Sequence, residues 1–95
     1  MEIVGTVPVS QCLGGLTTRE YTLGSAMTRP FIEYLGSIGT IEYFPRLARP
    51  FFRVSRPGSF IVKGVEGDLM MQVSYLGEPR VCEDEILSRI RLFGT

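Results

Sequence analysis

The chain has 95 residues, with ten basic and ten acidic side chains, 44% apolar residues and no histidine. This length allows one domain with a single core layer, since such a domain buries only about two-thirds of its unfolded surface, and the balanced charge provides no net field for attracting nucleic acid or membrane. The missing histidine excludes a histidine-dependent triad, a Cys–His dyad and a histidine-ligated zinc site.

The first segment predicts two short strands separated by a loop. Residues 3–9 alternate so that Ile3, Gly5, Val7 and Val9 share one face. Pro8 cannot donate to a ladder, which predicts an edge strand. Residues 10–18 are interpreted as a loop, and residues 19–23 as a second short strand with Tyr21 and Leu23 on the same side.

A helix is predicted over residues 28–38. Its apolar positions recur with helical spacing at Phe31, Ile32, Leu35 and Ile38. Pro30 suits the first turn, and Thr28 or Ser25 supplies the N-cap oxygen. Gly36 and Gly39 offer a left-handed cap at the end.

An antiparallel meander is predicted for residues 40–76. Strands at 40–44, 51–55, 60–65 and 69–76 are separated by turn signals, of which 56–59 and 66–68 are centred on glycine. The last strand alternates most clearly, with Leu69, Met71, Val73 and Tyr75 pointing one way.

A second amphipathic helix closes the chain after residues 77–79. It carries an apolar stripe at Ile86, Leu87, Ile90 and Phe93. Residues 83–85 are predicted to place three acids in its first turn, Arg89 and Arg91 lie in its last turns, and Gly94 caps it. This charge order is the one that the helix dipole prefers.

These elements predict a single α+β domain over residues 1–95. The expected architecture is an antiparallel sheet of four to six strands with two helices packed on one face, in the order β-(β)-α-β-β-β-β-α. The string Glu42-Tyr43-Phe44-Pro45-Arg46 is similar in type to a Glu-Tyr-x-Pro-basic string of the TATA-box-binding family. The element order also resembles the repeat unit of that family, whose saddle-shaped sheet grips the DNA minor groove. The family has two units in tandem and the strands after Arg46 depart from its register, so the resemblance implies an order of elements and no residue roles.

The segment between Glu42 and Glu66 is basic and aromatic. It suggests a surface that binds a partner or nucleic acid, in which arginines contact phosphates and aromatic rings stack on bases. The alternative is that the phenylalanines are core and the arginines form a solvated edge that discourages strand pairing. The candidate residues are Arg46, Arg49, Phe51, Arg53, Arg56 and Lys63.

Two cysteines are the only other chemical candidates. Cys82 near the start of the last helix and Cys12 in the glycine-containing loop are possible reactive thiols, with a structural thiol as the alternative for Cys82. They lie too far apart in sequence to form a spaced metal pair, and no signal peptide pattern is visible, which predicts reduced thiols in a cytoplasmic protein.

Three classes of function remain after these observations. The apolar content and a mean hydropathy of +0.17 favour a non-enzymatic interaction or accessory protein that binds a protein partner or a second copy of itself through an apolar sheet face or edge. A nucleic-acid-binding module using strands within 43–63 is the first alternative, and a small-ligand-binding domain or enzyme is the second. No cofactor, metal or membrane partner is predicted.

Overall fold

The computed structural model describes residues 1–9, 17–46 and 48–94. It confirms the predicted α+β architecture, with six antiparallel strands in one sheet and two helices. The elements run β1 (Ile3–Pro8), β2 (Thr17–Leu23), α1 (Arg29–Leu35), β3 (Thr40–Phe44), β4 (Phe51–Arg56), β5 (Phe60–Val65), β6 (Met70–Tyr75) and α2 (Pro79–Leu92).

The strand order across the sheet is β1-β2-β6-β5-β4-β3. The meander β3 to β6 follows chain order, and β6 then pairs with β2 rather than ending the sheet. This pairing joins the first hairpin to the meander, so that residues far apart in sequence become neighbours across the sheet. The edges of the sheet are β1 and β3.

The core lies between the helices and one face of the sheet. The predicted alternation of the meander is confirmed, because Phe52 and Val54 of β4 and Met71, Val73 and Tyr75 of β6 are all buried. Leu69 is the exception to the predicted alternation and is half exposed, because β6 begins only at the following residue. The other buried positions on strands and helices are Tyr21, Leu23, Phe31, Ile32, Leu35, Phe60, Val62, Cys82, Ile86 and Ile90.

Both glycine-centred turns of the meander form as predicted. Gly58 and Gly67 have φ angles of 75° and 92°, in the left-handed region that favours glycine. The amide of Ser59 donates to the carbonyl of Arg56 at 3.0 Å, which closes the first turn. These turns set the register of β4, β5 and β6.

Two predicted details of the first half are wrong. The ladder between β1 and β2 contains a bulge between Ile3 and Gly5. Ile3 pairs with Leu23 whereas Gly5 pairs with Thr22, so Ile3 and Gly5 do not share one face as predicted. Helix α1 begins after the predicted N-cap Thr28 but ends at Leu35. Gly36 stays right-handed at φ −63°, because the amides that follow close tighter turns onto carbonyls three residues earlier.

The start of α2 also differs from the prediction. Pro79 occupies the first turn, where its missing N–H leaves no hydrogen bond unmade, and the helix therefore begins four residues before Glu83. No acidic residue lies in the first turn, so the predicted acidic helix start is wrong. Arg89 and Arg91 do lie in the last turn, and Gly94 has a φ of 83°.

Candidate functional site

The candidate site is the face of the sheet that points away from the helices, which we call the open face. Strand side chains alternate between two sides, so the residues between the buried positions all point to this face. Within residues 1–9, 17–46 and 48–94, no helix or strand covers it. Residues directly opposite each other on paired strands share a face, and the register therefore orders the open face into three rows.

The middle row is charged and crosses all six strands, and we call it the charged row. Each member lies opposite the next in the ladder, in the order Val7, Glu20, Gln72, Lys63, Arg53 and Glu42. The row holds two acids and two bases, so its net charge is zero.

The charges of this row differ in whether they are paired within the chain. Arg53 and Glu42 form an ion pair with a 2.6 Å distance from Nη2 to Oε1. Glu20 and Lys63, which flank Gln72 on either side, have no ion-pair partner in the described part of the chain.

A second row on the open face is mainly apolar, and we call it the apolar row. Its members, from β1 to β3, are Gly5, Thr22, Met70, Val65, Phe51 and Phe44. The rings of Phe44 and Phe51 stack with centroids 6.1 Å apart. Met70 and Phe44 are each 44% exposed, so this row presents hydrophobic surface to solvent.

The third row is rich in hydroxyl groups and completes the open face. It consists of Thr18, Ser74, Ile61, Ser55 and Thr40. The hydroxyls of Thr18 and Ser74 lie 3.1 Å apart and form a hydrogen bond across the strands. A depression open to solvent lies between the apolar and charged rows, and its lining includes Lys63, Val65, Met70 and Gln72.

The predicted basic candidates divide between different parts of the molecule. Phe51 and Arg53 lie on the open face, as the alternation of β4 predicts, and Lys63 of β5 lies opposite Arg53 on the same face. Arg56 lies on the helix side and forms an ion pair with Glu85 of α2. Arg49 donates from Nη2 to both carboxylate oxygens of Asp68 at 3.0 and 3.2 Å.

These placements do not produce a continuous positive strip. Arg53 and Arg56 point to opposite sides of the sheet, and the guanidinium groups of Arg49, Arg53 and Arg56 are each neutralised by a carboxylate. Arg46, in the connection between β3 and β4, is exposed and forms no ion pair with another described residue.

The opposite face contains a partly buried polar cluster that attaches α2 to the sheet. Tyr21 donates to Glu83 Oε2 at 2.6 Å, and the hydroxyls of Tyr21 and Tyr75 lie 2.5 Å apart. Arg19 Nη1 lies 2.6 Å from the same Glu83 oxygen. Because Tyr21 uses its proton on Glu83, Tyr75 donates to Tyr21, and the cluster is a directed chain of hydrogen bonds.

The protonation states of this cluster follow from its burial. Burial is the largest cause that raises the pKa of Tyr21 far above the ordinary range, and it raises the pKa of Tyr75 to about 12. Burial alone would also raise the pKa of Glu83, but the hydrogen bonds from Arg19 and Tyr21 outweigh it and hold that pKa below its ordinary value. The cluster therefore contains two protonated phenols and a carboxylate, and it holds α2 in place.

Of the two cysteines, only Cys82 lies in the described part of the chain. Cys82 is only 8% exposed and packs in the core, which favours the structural alternative over a reactive thiol. Cys12 lies outside the described residues. No group of three metal-ligating side chains occurs in the described ranges, and neither described helix is long and apolar enough to cross a membrane.

Comparisons with protein-family models, with curated proteins and with solved structures found no match to this chain. Sequence reasoning named Phe51, Arg53 and Lys63 as candidates, and all three lie on the open face, but it missed Glu20, Met70 and Gln72. The alternation of the last strand placed Met70 and Gln72 on one side, and that signal could have found them. The alternation of β2 likewise places Glu20 on the side opposite Tyr21, but its position beside Gln72 depends on the pairing of β2 with β6.

Proposed function

We propose that this chain is a non-enzymatic interaction protein that recognises a protein surface through the open face of its sheet. The observation that carries the proposal is that the described helices and strands leave this face uncovered, and that it combines an apolar row with a charged row of zero net charge. Protein interfaces have this mixed character, with apolar contacts supplemented by polar and charged groups that fix the register.

Nucleic acid is the less favoured partner for the same face. Phosphate contacts need a positive surface, and the affinity for nucleic acid depends on how many phosphates are neutralised. The charged row offers Arg53 and Lys63 but balances them with Glu20 and Glu42. We expect no salt-sensitive binding of the purified chain to single-stranded or duplex oligonucleotides at low ionic strength.

The experiment that tests the proposal compares two substitutions of exposed apolar residues on opposite sides of the molecule. Met70→Glu introduces a charge into the apolar row, whereas Val81→Glu introduces the same charge on the outer surface of α2, where Val81 is 63% exposed. Each tagged variant is recovered from the source cells alongside the wild-type chain, with and without nuclease, and an untagged copy of the chain is scored among the bound proteins.

We expect the wild type and Val81→Glu to retain the same bound protein, with or without nuclease, and Met70→Glu to lose it. Equal recovery with Met70→Glu would overturn the assignment of the open face. Loss of the bound material on nuclease treatment would instead support the nucleic-acid alternative.

A further inference from the structure

We propose that the partner of the open face is a second copy of this chain, bound face to face about a two-fold axis that runs along β6. This inference rests on the proposed function of the open face and adds the identity and register of the partner. It is carried by the arrangement of charges and of large and small residues in the rows described above.

Symmetry restricts how the charged row can meet its own copy. A two-fold axis that crosses the strands along the charged row would place each strand over itself, with Glu20 on Glu20 and Lys63 on Lys63 of the second copy, and one that crosses them at another level would not bring the two charged rows together. An axis along β5 would also place Lys63 on Lys63. An axis between β6 and β5 would place Glu20 opposite Arg53, which Glu42 already neutralises.

An axis along β6 pairs the two charges of this row that have no ion-pair partner among the described residues. Glu20 and Lys63 lie one strand to either side of Gln72, so the rotation places Glu20 of each copy opposite Lys63 of the other. Gln72 meets Gln72 of the second copy, and a side-chain amide carries both donors and an acceptor for such a contact. The ion pair of Arg53 with Glu42 stays toward the rim of the interface.

The apolar row is also complementary under the same rotation. Met70 meets Met70 at the axis, and Val65 lies opposite Thr22 of the second copy. Phe51 lies opposite Gly5, so that the largest side chain of the overlapping strands faces the smallest. Two sheets that pack face to face interdigitate the side chains of their facing surfaces in this way.

The area available fits a reversible dimer. Five overlapping strands at a spacing of about 4.8 Å, each with six residues at about 3.3 Å, present about 500 Å² per copy. The total of about 1,000 Å² lies at the low end of specific protein interfaces. The dimer is therefore expected to dissociate on dilution, and its measurement must cover a range of protein concentrations.

The test uses two charge reversals whose effects cancel when the variants are mixed. Glu20→Lys places two bases opposite each other at both contacts of the dimer, and Lys63→Glu places two acids opposite each other. A dimer of one Glu20→Lys chain and one Lys63→Glu chain has a base opposite an acid at both contacts. The controls are Asp84→Lys and Arg91→Glu, exposed residues of α2 that undergo the same changes of charge away from the open face.

Mass is measured by sedimentation equilibrium for each protein and for the equimolar mixture, with circular dichroism as the check of folding. The wild type and both controls are expected to reach twice the chain mass of 10.6 kDa. Each reversal alone is expected to weaken the dimer by at least about tenfold, since like charges face each other twice. The mixture is expected to regain the wild-type affinity.

Each other outcome overturns a defined part of the inference. A wild type that stays at 10.6 kDa at all concentrations excludes the second copy as the partner, and the capture experiment with Met70→Glu then decides the proposed function separately. A dimer that persists in both single reversals excludes this register and indicates pairing elsewhere, such as at the β3 edge. Folded variants that do not recover on mixing exclude the contact between Glu20 and Lys63.

Discussion

The two faces of the sheet treat polar side chains in opposite ways. On the helix side, the described residues leave no buried side-chain nitrogen or oxygen without a hydrogen-bond partner, and Glu83 accepts from both Arg19 and Tyr21. On the open face, Glu20 and Lys63 have no ion-pair partner among the described residues. Alternate residues of the same strands therefore have different surroundings, one set packed beneath the helices and the other exposed on the open face.

The adjacent residues Phe51 and Phe52 give the sharpest test of this contrast. Phe52 is fully buried on the helix side, whereas Phe51 lies on the open face. Phe52→Ala is expected to lower the free energy of unfolding by about 3–5 kcal/mol, because it removes buried contacts and leaves a cavity. Phe51→Ala is expected to cost less than about 1 kcal/mol in the same measurement, as is usual for surface substitutions.

Urea unfolding in the Lys63→Glu background makes this comparison, because any contribution from dimerisation is then reduced. Equal losses at the two positions would contradict the division of the sheet into a stabilising face and a free face.

The polar cluster beneath α2 is expected to be the next most sensitive feature. Glu83→Gln removes a carboxylate that accepts from Tyr21 and Arg19, and hydrogen bonds to charged groups contribute about 1.5–3 kcal/mol. Because the pKa of Glu83 is lowered in the folded state, the unfolded chain binds this proton first. The stabilisation is thus present above the ordinary value of 4.5 and is lost as the pH falls through the lower folded value.

Urea midpoints measured from neutral to acid pH test this expectation. The wild type should lose stability below pH 4.5 more steeply than Glu83→Gln, and Asp84→Asn, a neighbouring exposed position, should follow the wild type.

At alkaline pH the stability is expected to change in the opposite direction and to fall as the pH rises. The pKa of Tyr75 is raised to about 12, so its phenol stabilises the fold below the ordinary value of 10.0 and this contribution falls as the pH rises toward 12.

Two glycines test whether the two faces also differ in packing. A Cβ on Gly64 would lie 2.7 Å from Cε1 of Phe52, in the core. A Cβ on Gly5 would come no closer than 3.7 Å to Thr22. Gly64→Ala is therefore expected to cost about 1–3 kcal/mol through overpacking, whereas Gly5→Ala should be neutral or slightly stabilising.

Thermal unfolding of the two variants measures the difference. If Gly64→Ala does not lower the unfolding temperature, the ring of Phe52 can move, and the expected difference in packing between the helix side and the open face is contradicted.

Much of the fold could be predicted because its signals are local. Proline and glycine mark the turns at 56–59 and 66–68, and the alternation from Met70 to Tyr75 separates core from surface without knowledge of the neighbouring strands. The end of α1 and the start of α2 were harder to predict from the sequence. They depend on tight turns after Leu35 and on Pro79 as a helix start, and neither changes the apolar periodicity.

The candidate site was less predictable because it depends on long-range register. The charged row forms only when β2 pairs with β6, which places Glu20 opposite Gln72 across 52 positions of sequence. The segment between Glu42 and Glu66 is basic in sequence because the acids that neutralise its arginines lie outside it. In the fold, Arg49 pairs with Asp68, Arg53 with Glu42 and Arg56 with Glu85.

The smallest expected effect concerns the ion pair of Arg53 with Glu42 on the open face, which we compare with the ion pair of Arg19 with Glu83 on the helix side. Both side chains are more than 40% exposed, so solvent screens their attraction. A double-mutant cycle with Arg53→Met and Glu42→Gln is expected to give a coupling of about 0.2–1 kcal/mol that declines with salt. The matched cycle with Arg19→Met and Glu83→Gln should give a larger coupling that salt changes less, because that pair is less exposed and shares its carboxylate with Tyr21. Equal couplings with equal salt dependence would mean that burial does not distinguish the ion pairs of the two faces.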